Sequence, residues 1–294
     1  VQLQNGIEAL SGAGAVVYAL SYDEADALRD FREAHGITYR LLSDPDSRVI
    51  REFGILNTLI AEDDVPWFGI PFPGAYVIDR AGVITHKFFE SNLAVRAGPE
   101  RFLRALGGEP AEVVRPTRDS DPTTEAQVFL EADTLVVSVQ RELVARIAVP
   151  TGRHVYAKPA PPGSVEVDLQ LDSNPSLVVR DLIRPESEPH RLASTGEEFE
   201  VHHGTVELRL PITVNGALAA DGGTRETTIS GTVCWQTCDD EVCDLPERRR
   251  FEIRVPIVGP VLPGIRRESE AAAREPNAAQ HFQRLVERRT NQVE

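Results

Sequence analysis

The apolar residues of this chain change their spacing once, and that change sets its architecture. Through residue 108, short β-forming runs alternate with segments of helical period. Residues 15–20, 39–42, 75–78 and 83–89 are the strand candidates, the last two joined by the Asp79-Arg80-Ala81-Gly82 hairpin signal. Between them Ala25, Leu28, Phe31 and Ala34 recur at helical spacing before Gly36, and Val49, Ile50 and Phe53 mark another helical face. Residues 43–46 read as a turn and helix start, and residues 101–106 as the closing helix. Strands alternating with helices predict a layered α/β domain. From residue 124 the period is two. Residues 135–139, 165–169, 205–210 and 251–255 alternate apolar with polar, separated by Pro, Gly and Asp clusters. That pattern predicts an antiparallel β-sandwich.

The division expected is therefore a domain over 1–108, a polar, proline-punctuated linker over 109–123, a sandwich over 124–262, and a charged helical tail over 263–294. The sandwich, at about residues 124–260, is expected to fold alone.

Composition bounds the partners. The chain carries 31 basic against 46 acidic residues, a net charge of −15, which argues against nucleic acid because phosphate binding needs clustered cations. No apolar run approaches the ~20 residues of a membrane span. Val1-Gln2-Leu3-Gln4 lacks the charged and apolar regions of a signal peptide, and the chain has no Met. A processed terminus or a fragment with its beginning upstream would both fit.

The 3 cysteines, Cys234, Cys238 and Cys243, all lie in one short stretch. A structural framework spreads its cysteines along the chain, so clustering points to local chemistry. Cys238 and Cys243 flank an acidic turn, which can bring their Cα atoms within the ~4.4–6.8 Å that a disulfide requires. A redox pair is the economical reading. A structural disulfide and a zinc site completed by His202 or His203 stand as alternatives, the latter with unusual spacing. Cys234 fits a small buried hydrophobe. Asp239, Asp240 and Glu241 beside the pair disfavour a thiolate, so reaction should depend on a docked partner.

The run Cys-Trp-Gln-Thr-Cys-Asp-Asp-Glu-Val-Cys-Asp-Leu-Pro, residues 234–246, resembles the signature of the N-terminal periplasmic domain of the DsbD family. Residues 152–157, with His154 and Tyr156, and residues 210–215 resemble two of its strands. The resemblance spans about residues 124–260. It implies an immunoglobulin-like sandwich with a catalytic dithiol at Cys238 and Cys243. Cys243 would take the mixed disulfide and Cys238 resolve it. Trp235, Tyr156, His154 and an aromatic cap, for which Phe199 is the nearest candidate, would line the site.

Residues 15–106 resemble the later part of a thioredoxin-like fold of the redoxin (AhpC/TSA) type, on the run Ile70-Pro71-Phe72-Pro73-Gly74-Ala75-Tyr76-Val77-Ile78-Asp79. The resemblance implies a cis Phe72–Pro73 bond, with both residues at an exchange surface. The family's opening strand and cysteine motif would lie upstream of Val1, making this domain incomplete.

The expected function is thiol:disulfide exchange by an oxidoreductase that uses no metal or organic cofactor. Its partners would be thioredoxin-like redox proteins or oxidised protein substrates, in the periplasm or another extracytoplasmic compartment. Two alternatives are a peroxiredoxin-like antioxidant enzyme, its peroxidatic cysteine upstream of residue 1, and a binding module with a static disulfide.

Overall fold

A computed structural model of the chain describes residues 2–64, 67–90, 92–109, 118–119, 126–192, 196–214 and 225–259. Among these, residues 2–93 and 105–108 fall in one compact unit, and residues 94–104 and 109–259 in another.

The first unit opens with two short helices, α1 (Gln2–Asn5) and α2 (Ile7–Gly12). Strand β1 (Tyr18–Ser21), helix α3 (Ala25–Ala34), strand β2 (Arg40–Ser43) and helix α4 (Arg48–Glu52) follow, then the hairpin of β3 (Gly74–Ile78) and β4 (Ile84–Phe89). β1 and β2 pair in parallel around the α3 crossover, and β3 and β4 pair antiparallel. The Asp79 carboxylate accepts from the Ala81 and Val83 amides, which makes the hairpin turn. Asp44 acts likewise for α4, accepting from the Arg48 and Ile50 amides at 3.0 and 2.9 Å. The expected thioredoxin-like pattern of strands and helices is present.

One expectation for this unit is corrected. The Phe72–Pro73 bond is trans, the cis bond among the described residues being Lys158–Pro159. Pro71 bridges Leu56, the Asn57 amide donates to the Ile70 carbonyl at 3.0 Å, and the Phe72 amide donates to the Ile55 carbonyl at 2.6 Å. These bonds hold the segment extended, and the ordinary trans peptide satisfies them. Phe72 packs with Leu59, Ile60, Trp67, Phe68, Ile70 and Leu93.

The second unit is a sandwich. Its elements are β5 (Arg96–Ala97), α5 (Pro99–Ala105, to Arg104 in this unit), β6 (Arg118–Asp119), β7 (Ala126–Leu130), β8 (Leu135–Val136) and β9 (Val139–Ala148). They continue with β10 (His154–Tyr156), β11 (Asp168–Leu171), β12 (Leu177–Val179), β13 (Glu188–Arg191) and β14 (Glu198–His202). The last four are β15 (Thr205–Val214), β16 (Arg225–Trp235), β17 (Thr237–Cys238) and β18 (Glu247–Val258). One main sheet runs β11–β16–β18–β6 with β8 beside β18; the other runs β12–β15–β9–β5 with β7 beside β9. A third, smaller sheet runs β13–β14–β10–β17.

The period-two pattern explains the core. Leu143, Ala145 and Ile147 of β9, Leu208, Leu210 and Ile212 of β15, Ile229 and Val233 of β16, and Phe251, Ile253 and Val255 of β18 all point inward and are buried. Each large side chain so buried contributes about 1.5–3 kcal/mol. Gly231 keeps the same inward phase in β16. A Cβ there would lie 2.2 Å from the Gln170 carbonyl oxygen, so only glycine lets β16 approach β11 this closely.

The helix expected to close the first domain packs instead with the sandwich as far as Arg104. The cause is electrostatic. β9 and β15 point Glu142, Arg146, Glu207 and Arg209 away from the core, and burying these charges requires partners. Arg104 bridges Glu131 and Glu142, each at 2.6 Å, and Arg209 reaches the same two carboxylates at 2.9 and 3.3 Å. Arg141 pairs with Glu100 at 2.6 Å, both nearly buried. Burial raises the Glu100 pKa, with Arg141 opposing.

Of the proposed linker, Arg118–Asp119 form β6 and pair through their backbone with β18. The remainder apart from Glu109, and the proposed helical tail, lie outside the described residues. Removing one side of a buried ion pair costs about 3–5 kcal/mol. A fragment of residues 94–260 is therefore expected to be more stable than one of residues 124–260 by about 3 kcal/mol, as read by urea unfolding at neutral pH.

Candidate active site

β16 and β18 pair through eleven rungs, from Arg225↔Ile257 to Trp235↔Glu247. At Gln236 the chain leaves that ladder. Trp235 still points into the main core, while Thr237 and Cys238 cross to the small sheet and pair with Val155 and His154 of β10. Gln236 makes the joint. Its Oε1 accepts from the Val165 amide at 2.8 Å and its Nε2 donates to the Asp244 carbonyl at 2.9 Å. Arg153 clamps the far side, bonding Asp244 at 2.9 Å and the Thr237 carbonyl at 3.2 Å.

Between these anchors the chain folds back on itself. The Asp239 carboxylate accepts from the Glu241 and Val242 amides at 2.9 and 2.8 Å, an Asx turn. Those two bonds hold the Asp239 carboxyl below its usual pKa. The Asp239 amide donates to Val242 and the Asp244 amide to Thr237, each at 2.9 Å. Cys238 and Cys243 thus face each other with Cα atoms 4.0 Å apart and are joined by a disulfide. Cys234 is the free cysteine, as the spacing led one to expect. Its Sγ lies 3.8 Å from the carbonyl of Asp168, its partner on the neighbouring strand β11 of the main sheet and not of the small sheet that carries Cys238, and burial raises its pKa. The three cysteines do not converge as metal ligands would.

The two bonded cysteines differ in access. Cys238 is fully buried, whereas Cys243 lies in an exposed run that includes Val242 and Leu245. Tyr156 and Val201 pack against Cys238, with Phe199, Leu192 and Ala160 outside them. Phe199 meets Tyr156 edge to face at 6.3 Å between centroids. Of the expected site residues, the fold brings Cys238, Cys243, His154, Tyr156 and Phe199 together. Trp235 sits in the main core, and Phe72 and Pro73 belong to the first unit.

Sequence reasoning missed His190 and Arg153, and named His203 only as a ligand in the zinc alternative. The His154 ring lies 4.5 Å from that of His190 and 6.0 Å from that of His203. His190 Nε2 lies 3.3 Å from Asp240. Burial, then the like charges that His190 and His203 would carry, push His154 down to about 4, against Asp240 and Asp239. His190 is far away in sequence and gave no spacing signal; only the pairing of β13 with β14 and β14 with β10 delivers it.

Residues 1–87 match the AhpC/TSA family, and residues 123–254 match the N-terminal part of thiol:disulfide interchange protein DsbD. The chain joins an AhpC/TSA-type domain to a DsbD N-terminal domain. Together the two domains support thiol:disulfide interchange in general.

The peroxiredoxin bcp of Coxiella burnetii (strain RSA 493 / Nine Mile phase I) is 32% identical over 80 residues, covering 26% of this chain and 49% of that protein. The chain thus spans about half the length of this curated relative. The N-terminal domain of Neisseria meningitidis DsbD in its reduced form aligns at 15% identity and TM-score 0.27, covering 41% of this chain and 77% of that one. The N-terminal periplasmic domain of Proteus mirabilis ScsB aligns at 17% identity and TM-score 0.32, covering 49% and 51%. Among the described residues no helix is long and apolar enough to cross a membrane.

The depressed His154 pKa has a consequence for stability. Between about 4 and the ordinary value of 6.5 the unfolded chain binds a proton that the folded chain does not. The His154 contribution is therefore fully present above pH 6.5 and is lost as the pH falls toward 4. Urea unfolding of the oxidised chain is expected to show a loss of up to about 3 kcal/mol across that window. His154→Gln should flatten that part of the profile.

Proposed function

We infer that the DsbD-type domain of this chain exchanges disulfides with thioredoxin-like proteins through Cys238 and Cys243, in the periplasm or another extracytoplasmic compartment. The observation that carries the reading is the asymmetry of the pair. A disulfide closes a short hydrogen-bonded turn, with one cysteine buried beside aromatic residues and the other exposed.

Exchange proceeds by in-line attack of a thiolate on one sulfur of a disulfide, and access decides which sulfur is attacked. Cys243 is the accessible member, so an incoming thiolate bonds to Cys243 and expels Cys238. In the opposite direction Cys243 receives the partner and Cys238 resolves the mixed disulfide. Four residues separate the two cysteines, so the resolving sulfur stays within reach. Exposed Val242 and Leu245 flank Cys243 and offer an apolar rim to a docking protein. Phe199 and Tyr156 shield Cys238 from the inner side.

A peroxiredoxin-related role for the whole protein is the second reading, favoured by the likeness to bcp. Residues 1–87 contain no cysteine, so in this chain the thiol chemistry belongs to the sandwich in either case.

The test is trapping. Cys238→Ser should accumulate a mixed disulfide with an oxidised thioredoxin through Cys243, because the resolving thiol is gone. Cys243→Ser should trap at least about tenfold less, and Cys234→Ser should behave as wild type. Non-reducing electrophoresis with peptide mapping reads the outcome. Equal trapping by the two single variants would refute the division of roles, and failure of wild type to react with any thioredoxin-like protein would favour a static bond.

A further inference from the structure

The face of the small sheet that carries Cys238 also carries imidazoles that the exchange just described does not use. His154 stands opposite Cys238 in the β10–β17 pair. Side chains directly opposite in an antiparallel pair share a face, with Cβ atoms about 5 Å apart. Tyr156, two residues along the same strand, touches the His154 ring at 5.1 Å between centroids and packs against Cys238, which confirms the shared face. His154 is 2% exposed and Cys238 0%. The His154 Nε2 atom is buried and has no hydrogen-bond partner among the described residues. An unpartnered polar atom buried beside a reactive sulfur calls for a role.

We propose that His154 is the proton-transfer residue of the Cys238–Cys243 exchange, its neutral imidazole taking the Cys238 proton as that sulfur attacks the mixed disulfide on Cys243. The proposal rests on the exchange reading above. Cys243 thiolate first attacks the partner's disulfide and frees one partner sulfur as a thiolate. Cys238 then gives its proton to His154 and attacks Cys243. The Cys238–Cys243 bond forms, the Cys243–partner bond breaks, and its electron pair leaves on the second partner sulfur. The two cysteines are oxidised and the partner's disulfide is reduced. The proton on His154 passes to the departing thiolate or to water. Run backwards, the imidazolium protonates Cys238 as it is expelled.

The surroundings explain why a base is needed and why His154 can be it. Cys238 is buried, and Asp239 and Asp240 follow it directly, so a free thiolate there is disfavoured by both desolvation and like charge. From β13, His190 faces His154 and is engaged by Asp240 at 3.3 Å. Following β14, His203 faces it with Nδ1 3.0 Å from the Arg153 carbonyl oxygen. Tyr156 faces it from its own strand, and Arg153 sits immediately before it, paired with Asp244. Burial and the two imidazoles keep His154 unprotonated at neutral pH, hence able to accept. A thiolate developing opposite it raises its proton affinity at the moment the proton is transferred.

The test uses the full reduced chain with oxidised glutathione as the probe. Release of glutathione from the mixed disulfide on Cys243 is followed by stopped flow from about pH 5 to about pH 9. Wild type is expected to resolve at a nearly constant rate between about pH 5.5 and pH 7.5. His154→Gln is expected to lose about tenfold per pH unit below the thiol pKa, and to run about a hundredfold slower near pH 6. The two profiles should converge at high pH, where Cys238 ionises unaided. His190→Gln keeps the base but removes a neighbour that weakens it, so its constant region should persist while its acid limb moves to higher pH. A His154→Gln profile identical or parallel to wild type would overturn the proposal, as would an unmoved limb in His190→Gln. Failure of wild type to form or resolve a mixed disulfide both with glutathione and with an oxidised thioredoxin used in its place would instead refute the exchange reading, and the proposal with it.

Discussion

The long antiparallel pairing of β16 with β18 is the constraint on which the site depends. Its eleven rungs run to Trp235 and Glu247 and are pinned to the core by Ile229, Val233, Phe251, Ile253 and Val255. A one-residue slip would turn every one of these side chains to the opposite face, so the register is strongly specified. With both strand ends set, residues 236–246 must turn in a fixed span. The disulfide, the Asx turn and the switch of Cys238 to the small sheet are built in that span.

The small sheet then gives the two cysteines different environments. β10 and β14 bring Tyr156, Val201 and Phe199 against Cys238, while among the described residues Cys243 is exposed. The β10–β17 pair sets His154 opposite Cys238, and β13 and the residue after β14 place the rings of His190 and His203 beside it. Packing that hides one sulfur therefore also sets an unprotonated imidazole opposite it. Access and proton supply have one structural origin.

Charge organises the outward face of the β9–β15 pair. Arg104 and Arg209, both partly buried, form a continuous network with the buried carboxylates of Glu131 and Glu142, and the buried Arg141–Glu100 pair lies on the same helix and strand. Such networks add little net stability over apolar packing, but leaving one member unpaired is expensive. That asymmetry is why residues 94–104 go with the sandwich although a simple alternation of strands and helices assigns them to the α/β domain.

Much of this was legible in the chain itself. The switch of period near residue 124 separated an α/β segment from an all-β one because the hydrophobic effect demands one apolar face per element, whatever its neighbours. The spacing of Cys238 and Cys243 around an acidic turn marked the disulfide because a short turn brings its own ends together. Residues close in sequence carried both inferences. What depended on long-range pairing was not legible: His190 beside His154, Trp235 in the core rather than at the site, and Glu131 and Glu142 demanding the helix that carries Arg104. The trans Phe72–Pro73 bond was likewise decided by backbone bonds to residues 55–57, not by the local run of prolines. Local pattern determines which residues are strand, turn or disulfide, but which of them meet is a property of sheet order and register, and only the folded chain decides those.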